Sequence, residues 1–371
     1  MSGPTSSRVG VAIVGAGPAG CSTAIALARH GIGDVALFDA GAGDGPRIGE
    51  AIPGAALPLL SRLGLMDRFV ARGHLPALGS TAVWGKAEPH HSDGFANPFG
   101  GGWHLDRAGF DADLRAEAMA MGVPLHAGRL RMMAPEGAGH RLRFEGADGP
   151  FEITAGLVVD ASGVRAAALR SLKVARNSVD AIAFHWTFLA LTEPEAVPAR
   201  TFLEAAPDGW WYASRIPGGR AVLGLATDPD TGARFADAVA FRAALADTRL
   251  IGPEISSGRP EDAEAPPRIA IAPTAILSAV AGPGWLAVGD AAACLDPLLS
   301  QGLTRALEDG IAAADAIAGA LAGEDGALRM YQDRVFARFT AGVRLRAAFY
   351  ATEARWPDAP FWRRRQVQAA A

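Results

Sequence analysis

Lysine is almost missing from the chain: Lys86 and Lys173 are the only two in 371 residues, so nearly all positive charge is arginine. Cysteine is as scarce. Cys21 and Cys294 lie far apart without C-x-x-C spacing, which gives neither a zinc signature nor a disulfide framework. A reducing compartment is the expectation. No uninterrupted apolar run reaches the ~18 residues of a membrane-spanning helix. The N-terminal MSGPTSSRVG has no apolar core, so it does not read as a secretory signal. A cytoplasmic protein without a membrane span is expected. The net charge is −4 and the pI about 6.1, and this balance does not call for nucleic acid. The adjacent His90-His91 face apart on most backbones and have no carboxylate cluster beside them, so no metal site is expected.

Against these absences, half the residues are hydrophobic, which supplies a large core. The length suits two intimately connected domains. Val9–Val14 is a short β-branched run. A glycine-rich turn follows, then CSTAIALARHG with helical periodicity and a glycine stop, then the strand-like VALFDA. Further on, Ala55–Val70 reads as a helix, Thr81–Trp84 as a strand, Glu88–Gly102 as a polar loop and Arg107–Met121 as a helix. Strands are expected near Leu125–Met133, Arg141–Glu145 and Leu157–Val159, and over Asp180–Leu191. Trp210–Arg215 and Ala221–Thr227 read as a hairpin joined at Pro217-Gly218-Gly219. Trp285–Val288 is a buried strand and Thr304–Leu321 an alanine-rich helix. The order is β-α-β, an all-β insertion, and a return to β-α, which implies an α/β fold whose two domains exchange segments.

Gly15-Ala16-Gly17-Pro18-Ala19-Gly20 leaves a strand and opens a helix, the context in which G-x-G-x-x-G binds a dinucleotide. Gly15 permits the tight turn, Gly17 admits the pyrophosphate, and Gly20 lets helix and strand pack closely. Pro18 and Ala19 begin the helix whose N-terminus faces the phosphates. Asp39 ends the second strand 19 residues after Gly20, where a carboxylate accepts from a ribose hydroxyl.

The C-terminal third selects the nucleotide. Trp285-Leu286-Ala287-Val288-Gly289-Asp290 followed by Asp296-Pro297-Leu298-Leu299-Ser300-Gln301-Gly302 resembles the Gly-Asp motif of the FAD-dependent aromatic hydroxylases. The resemblance implies that Asp290 binds the ribityl chain of FAD. It also implies that the helix opening at Gly302 and Leu303 faces the flavin pyrimidine edge. A helix N-terminus there stabilises the negative charge of reduced flavin, and Ser300 is placed to cap it. Leu157-Val158-Val159-Asp160-Ala161-Ser162-Gly163 resembles the second flavoprotein strand. Trp103-His104-Leu105-Asp106-Arg107 resembles the segment whose Arg reaches the cofactor, and Arg47-Ile48-Gly49-Glu50 the loop beside the isoalloxazine ring. Leu130 is assigned to the cofactor site on the same basis. The resemblance covers nearly all of the chain to about residue 310. It implies an FAD-binding Rossmann-type domain of the aromatic-hydroxylase type over 1–80, 105–175 and 270–330. A mostly β substrate domain is inserted over 81–104 and 176–269, and a C-terminal helical tail covers 331–371.

Within that fold, the chain is most similar to the flavin-dependent tryptophan halogenases and their non-halogenating relatives that modify Trp residues of partner polypeptides. The residues that carry this are Gly49-Glu50 with Pro53, Leu63-Gly64-Leu65, Asn97-Pro98-Phe99-Gly100 and Asp208-Gly209-Trp210-Trp211-Tyr212, reaching Ile216-Pro217. Two departures stand out. The halogenase W-x-W-x-I-P motif is not reproduced around Ile216-Pro217, and the place of the essential halogenase Lys falls at Thr81 or Ala82, with Lys86 several residues late.

The function these residues imply is an FAD-dependent monooxygenase that hydroxylates an electron-rich aromatic through a flavin C4a-hydroperoxide. An indole, or a Trp side chain in a peptide or protein, is the substrate in view. Reduction would come from NAD(P)H or a separate flavin reductase. Glu50 and His104 are the candidate bases, and Trp84, Trp210 and Trp211 the candidates for gripping a flat ring. The alternatives are a halogenase using Lys86, a flavin reductase of isoprenoid type, and a non-catalytic flavin-binding assembly partner. The tail mixes Arg346, Arg355, Arg363, Arg364 and Arg365 with Tyr350, Trp356, Phe361 and Trp362. It reads either as an amphipathic helix packed on the core or as a docking face for a polypeptide, with Arg363, Arg364 and Arg365 exposed.

Overall fold

The computed structural model describes residues 7–41, 47–94, 99–262 and 265–370. The apolar run Ser7–Val14 forms the central strand of a parallel sheet, flanked by Val35–Asp39 on one side and the end of Gly149–Asp160 on the other. Leu125–Ala127 continues the sheet beyond Val35–Asp39, and Trp285–Ala287 continues it beyond Gly149–Asp160. A strand covered on both faces needs apolar side chains throughout, and Val11, Ala12, Ile13 and Val14 are all buried. Helices Pro18–Arg29 and Gly302–Leu321 pack together on this sheet. The antiparallel strands Arg129–Glu136 and Gly139–Gly146 extend from the first half of Gly149–Asp160.

A nine-stranded, mostly antiparallel sheet forms the second layer system. Its centre is Arg176–Leu191 paired with Arg220–Thr227, which pairs in turn with Gly209–Ile216 as the expected hairpin. Arg268–Leu277 pairs on the far side of Arg176–Leu191. Side chains alternate across a strand, so the hairpin divides its aromatics. Trp210 packs with Phe184, Tyr350, Phe361 and Trp362, and Trp211 packs with Phe235 and Phe241 in a separate core.

Several segments differ from the sequence reading. Ala55–Val70 is two helices, Leu57–Leu63 and Met66–Ala71, because Gly64 ends the first in the left-handed region (φ +72°). The polar loop Glu88–Gly102 contains an edge strand, His90–Asp93, paired with Gly79–Val83; Asn97 and Pro98 lie outside the described residues. Gly102–His104 does not join the large sheet but sits between Ala51–Ile52 and Leu75–Ala77 in a small one. Arg268–Leu277, expected to fall mostly with the cofactor segment, belongs to the nine-stranded sheet. The tail is two helices, Ala327–Ala351 and Pro360–Ala370.

The tail arginines are not a free face. Arg365 is 0% exposed and lies 2.8 Å from Asp228 and 3.0 Å from Asp180. Arg346, also buried, pairs with Asp180 and, at 2.9 Å, with Asp296. Arg364 bonds Asp228 and Asp230, and of the expected triplet Arg363 and Arg364 are exposed. Arg365 departs from the expected exposure because Phe361 and Trp362 insert against the sheet and bring it in with them. Among the described residues, no helix is long and apolar enough to cross a membrane.

Candidate active site

A cavity of about 540 Å³ opens between the two sheets. One wall begins at the glycine turn. A Cβ on Gly15, whose φ is +112°, would lie 2.3 Å from the Ala161 carbonyl oxygen, and one on Gly20 would lie 1.9 Å from that of Gly15. Those two glycines are required by the fold itself. A Cβ on Gly17 would meet nothing within 4 Å and would project into space, although Gly17 lines the cavity. The packing does not require its bareness, which leaves the open backbone a pyrophosphate site needs. Pro18 and Ala19 also line the cavity, and no side chain caps the helix they begin. Asp39 lines it too, but its carboxylate already accepts from Ala16 N–H (2.7 Å) and Gly41 N–H (3.0 Å). It shapes the turn from within the cavity lining.

The floor is the Gly-Asp loop. Gly289 donates its N–H to Asp309 (3.2 Å) and stays behind the lining. Asp290 projects into the cavity, 3.2 Å from the Arg305 guanidinium. Enclosure raises its pKa, and Arg305 opposes that rise. Ser300 does not cap the next helix: it holds a left-handed turn (φ +48°), the cap position is Gln301, and no side chain bonds the helix start. Pro297, Gly302 and Leu303 line the cavity there. The uncapped first turn offers unpaired N–H groups and partial positive charge to an anion. Cys294 beside this loop is buried, which pushes its thiol up to about 12. It is not a reactive thiolate.

Arg107 acts as a clamp. Its guanidinium donates to the carbonyls of Ile48 (2.8 Å) and Gly49 (2.9 Å) and to Asp111 (3.0 Å), and Arg47 reaches Asp111 at 2.9 Å. Both arginines line the cavity and fix the loop that carries Glu50. Glu50 is 3% exposed. Its Oε1 accepts from the Tyr212 hydroxyl and from Ser214 Oγ (3.0 Å), and its Oε2 accepts from Gly49 N–H (3.0 Å). Tyr212 lines the cavity beside Trp210, and burial and then the Glu50 charge raise its pKa well above the ordinary phenol value.

Other candidates lie elsewhere. His104 is buried, bonds Thr201 (3.1 Å), and is not part of the lining; burial lowers its pKa. Asp160 is fully buried and accepts from the N–H groups of Ser162, Ala168 and Leu169, so it builds the following turn, while Gly163 reaches the cavity. Leu130 packs in the antiparallel extension away from the cavity. Trp84 donates to the Phe349 carbonyl (3.0 Å) and meets Trp362 of the C-terminal helices edge-on. Trp211 points to the opposite side of its sheet, by strict alternation with Trp210 and Tyr212. Of the three tryptophans only Trp210 faces the cavity. Tyr212, Ser214 and Phe184 were not singled out as site residues by the sequence; period-two alternation from Trp210 was the signal for Tyr212 and Ser214.

The tryptophan halogenase family matches residues 79–371, and an NAD(P)-binding Rossmann-like domain matches residues 13–51. Over 372 residues the chain is 27% identical to LodB of Marinomonas mediterranea, whose name is that of an FAD-dependent oxidoreductase. That match covers 96% of this chain and 97% of LodB. It is 26% identical over 382 residues to tryptophan 2-halogenase of Chondromyces crocatus, covering 98% of this chain and 71% of that one. The solved structure of QhpG, a peptidyl tryptophan dihydroxylase essential for tryptophylquinone cofactor biogenesis, superposes with a TM-score of 0.76. The superposition covers 97% of this chain and 79% of QhpG, at 25% identity.

Proposed function

The chain belongs to the tryptophan halogenase family, and from that premise we propose that this FAD-dependent oxidoreductase hydroxylates an electron-rich aromatic and does not halogenate it. An indole is the substrate class, and a Trp side chain in a polypeptide is its leading form. The observation that carries the reading is the cavity lining, which holds no lysine among the described residues. Lys86 is exposed. The positions where the resemblance puts the halogenase Lys are Thr81, buried and bonded to His91 at 3.0 Å, and Ala82.

FAD, when bound, supplies the oxygen chemistry. The glycine turn and the bare Gly17 would receive its pyrophosphate, Asp39 and Asp290 its sugar and ribityl hydroxyls, and the uncapped helix start at Gly302 its pyrimidine edge. Arg107, with Arg47 braced on the same Asp111, holds the loop Ile48–Gly49, which would lie beside the ring. Trp210 and Phe184 give an aromatic, apolar wall that excludes water. Glu50 is the group placed to take a proton from the substrate ring; His104 does not line the cavity. Electrons come from NAD(P)H or a separate flavin reductase.

The test reduces the enzyme anaerobically and mixes it with aerated buffer and 3-methylindole, with and without bromide. A product heavier by one oxygen atom, in a yield that ignores bromide, is expected. A brominated product would overturn the reading. Turnover of an alkene without oxygen uptake would favour the isoprenoid-type reductase instead.

A further inference from the structure

The tryptophan halogenases carry W-x-W-x-I-P. Aligned on Ile216-Pro217, the two motif tryptophans fall on Tyr212 and Ser214. Both are hydroxyl residues, both lie on the Trp210 face of strand Gly209–Ile216, and both donate to the same oxygen of Glu50. Large indole side chains have given way to two donors that converge on one buried carboxylate.

We propose that Tyr212, Ser214 and Glu50 form a single unit that reads the substrate, with Glu50 accepting a hydrogen bond from an N–H or O–H group borne by the aromatic ring. Tyr212 touches the cavity and sets the angle of the carboxylate; Ser214, 1% exposed, is a positioning residue. The inference rests on the aromatic-substrate reading above and adds the chemical feature that the substrate must carry.

Three observations support it. A carboxylate offers about four acceptor sites, and protein donors take three of those on Glu50: two hydroxyls on Oε1 and the Gly49 amide on Oε2. No cation forms an ion pair with Glu50 among the described residues, so its charge is held by neutral donors alone. Finally, the rings of Phe184 and Tyr212 stand 6.4 Å apart, and those of Phe184 and Trp210 6.0 Å, which builds an aromatic wall next to that carboxylate. A ring seated on the wall with a donor on its edge completes the acceptor's set. A ring without one leaves a buried carboxylate short of a partner, which weakens binding by about tenfold or more. The raised pKa of Tyr212 keeps it protonated, so it remains a donor to Glu50.

The experiment titrates oxidised, FAD-loaded enzyme with 3-methylindole and with 1,3-dimethylindole, which lacks only the ring N–H, and follows the flavin absorbance. The wild type should bind 3-methylindole about tenfold or more tightly. Glu50→Gln and Tyr212→Phe should each shrink that preference several-fold by weakening binding of the N–H ligand alone. Ser214→Ala should act in the same direction, and Ser214→Thr should restore the preference. If Glu50→Gln does not retain FAD, Tyr212→Phe and Ser214→Ala carry the test. Equal affinity of the wild type for the two indoles would overturn this inference and leave the aromatic reading standing. So would an unchanged preference in the FAD-loaded variants. Failure of both indoles to perturb the flavin would overturn the two together.

Discussion

On one side of the cavity, residues 15–20 and the helix start at Gly302 leave the backbone bare; on the other, Phe184, Trp210 and Tyr212 cover the nine-stranded sheet with side chains. The first side is made by omission. Gly15 and Gly20 have no room for a Cβ, while Gly17 has room and lacks one. The second side is made by addition, and its side chains are backed by helices from the far end of the chain. Tyr350 joins the two: its hydroxyl accepts from Trp210 Nε1 (3.0 Å) and donates to Asp296 (2.9 Å), which in turn caps the turn at Leu298 ahead of the helix at Gly302. A side built by omission tolerates no added atom. A side built by addition loses function by degrees.

The sharpest way to break this contrast is Gly17→Val. The fold has space for the new side chain and the cofactor does not, so FAD retention should fall by orders of magnitude. The apoprotein should melt near the wild-type temperature, since nothing within 4 Å is displaced. Gly20→Ala should do the opposite and unfold the protein, because its Cβ would lie 1.9 Å from a carbonyl oxygen. Absorbance of the purified proteins and thermal melts separate the two.

Arg365→Ala comes next. Removing one partner of a buried ion pair costs about 3–5 kcal/mol when it strands the other charge; here Asp228 keeps Arg364 and Asp180 keeps Arg346, so the loss should reach about 3 kcal/mol at most. Arg363→Ala, at an exposed position, should stay within about 0.5 kcal/mol of wild type. Denaturant unfolding of the two variants tests the packed tail directly, and equal stabilities would revive a docking role.

Tyr350→Phe removes the hydroxyl between Trp210 and Asp296 and leaves a buried indole N–H unpaired, a loss of about 1–3 kcal/mol. Because the bond spans both sides of the cavity, FAD affinity should weaken along with stability. Loss of stability with no change in FAD affinity would show that the two sides are independent.

The smallest effect concerns His185, which is buried beside Phe235 with neither ring nitrogen bonded among the described residues. Burial lowers its pKa. A base whose folded pKa lies below its unfolded value of about 6.5 binds more protons when unfolded. Stability is therefore full above that pH and falls as pH drops towards the folded pKa. His185→Leu should lose less stability than wild type between pH 7 and pH 5, by at most about 1.4 kcal/mol per pH unit.

The legibility of the two sides differed for the same physical reason. Glycines with forced spacing and a following helix announce themselves, so Gly15, Gly17 and Gly20 could be read from the chain, whereas Asp290, Gly302 and Leu303 were legible by resemblance. So were Arg47 and Arg107. The hold of Arg107 on the Ile48 and Gly49 carbonyls was not, because nothing local pairs residue 107 with residue 48. Trp211 and Trp84 were misplaced. A strand's period gives two faces without saying which one meets the cavity, and Trp84 was claimed by helices more than 250 residues later in the chain. Asp160 looked like a cofactor residue by its place at a strand end, yet its carboxylate goes to four local donors. Arg365 was read as solvated because arginine usually is; a buried Asp228 and a half-buried Asp180, from a distant loop and strand, reversed that.

The account's central claim is tested most directly by one isotope measurement. Reduced, FAD-loaded enzyme is mixed with heavy-isotope dioxygen, bromide and a Trp-containing peptide or 3-methylindole, and the product is read by mass spectrometry. The account predicts an indole ring carrying one or more labelled oxygen atoms and no bromine. A brominated ring, or a ring oxygen without label, would contradict it.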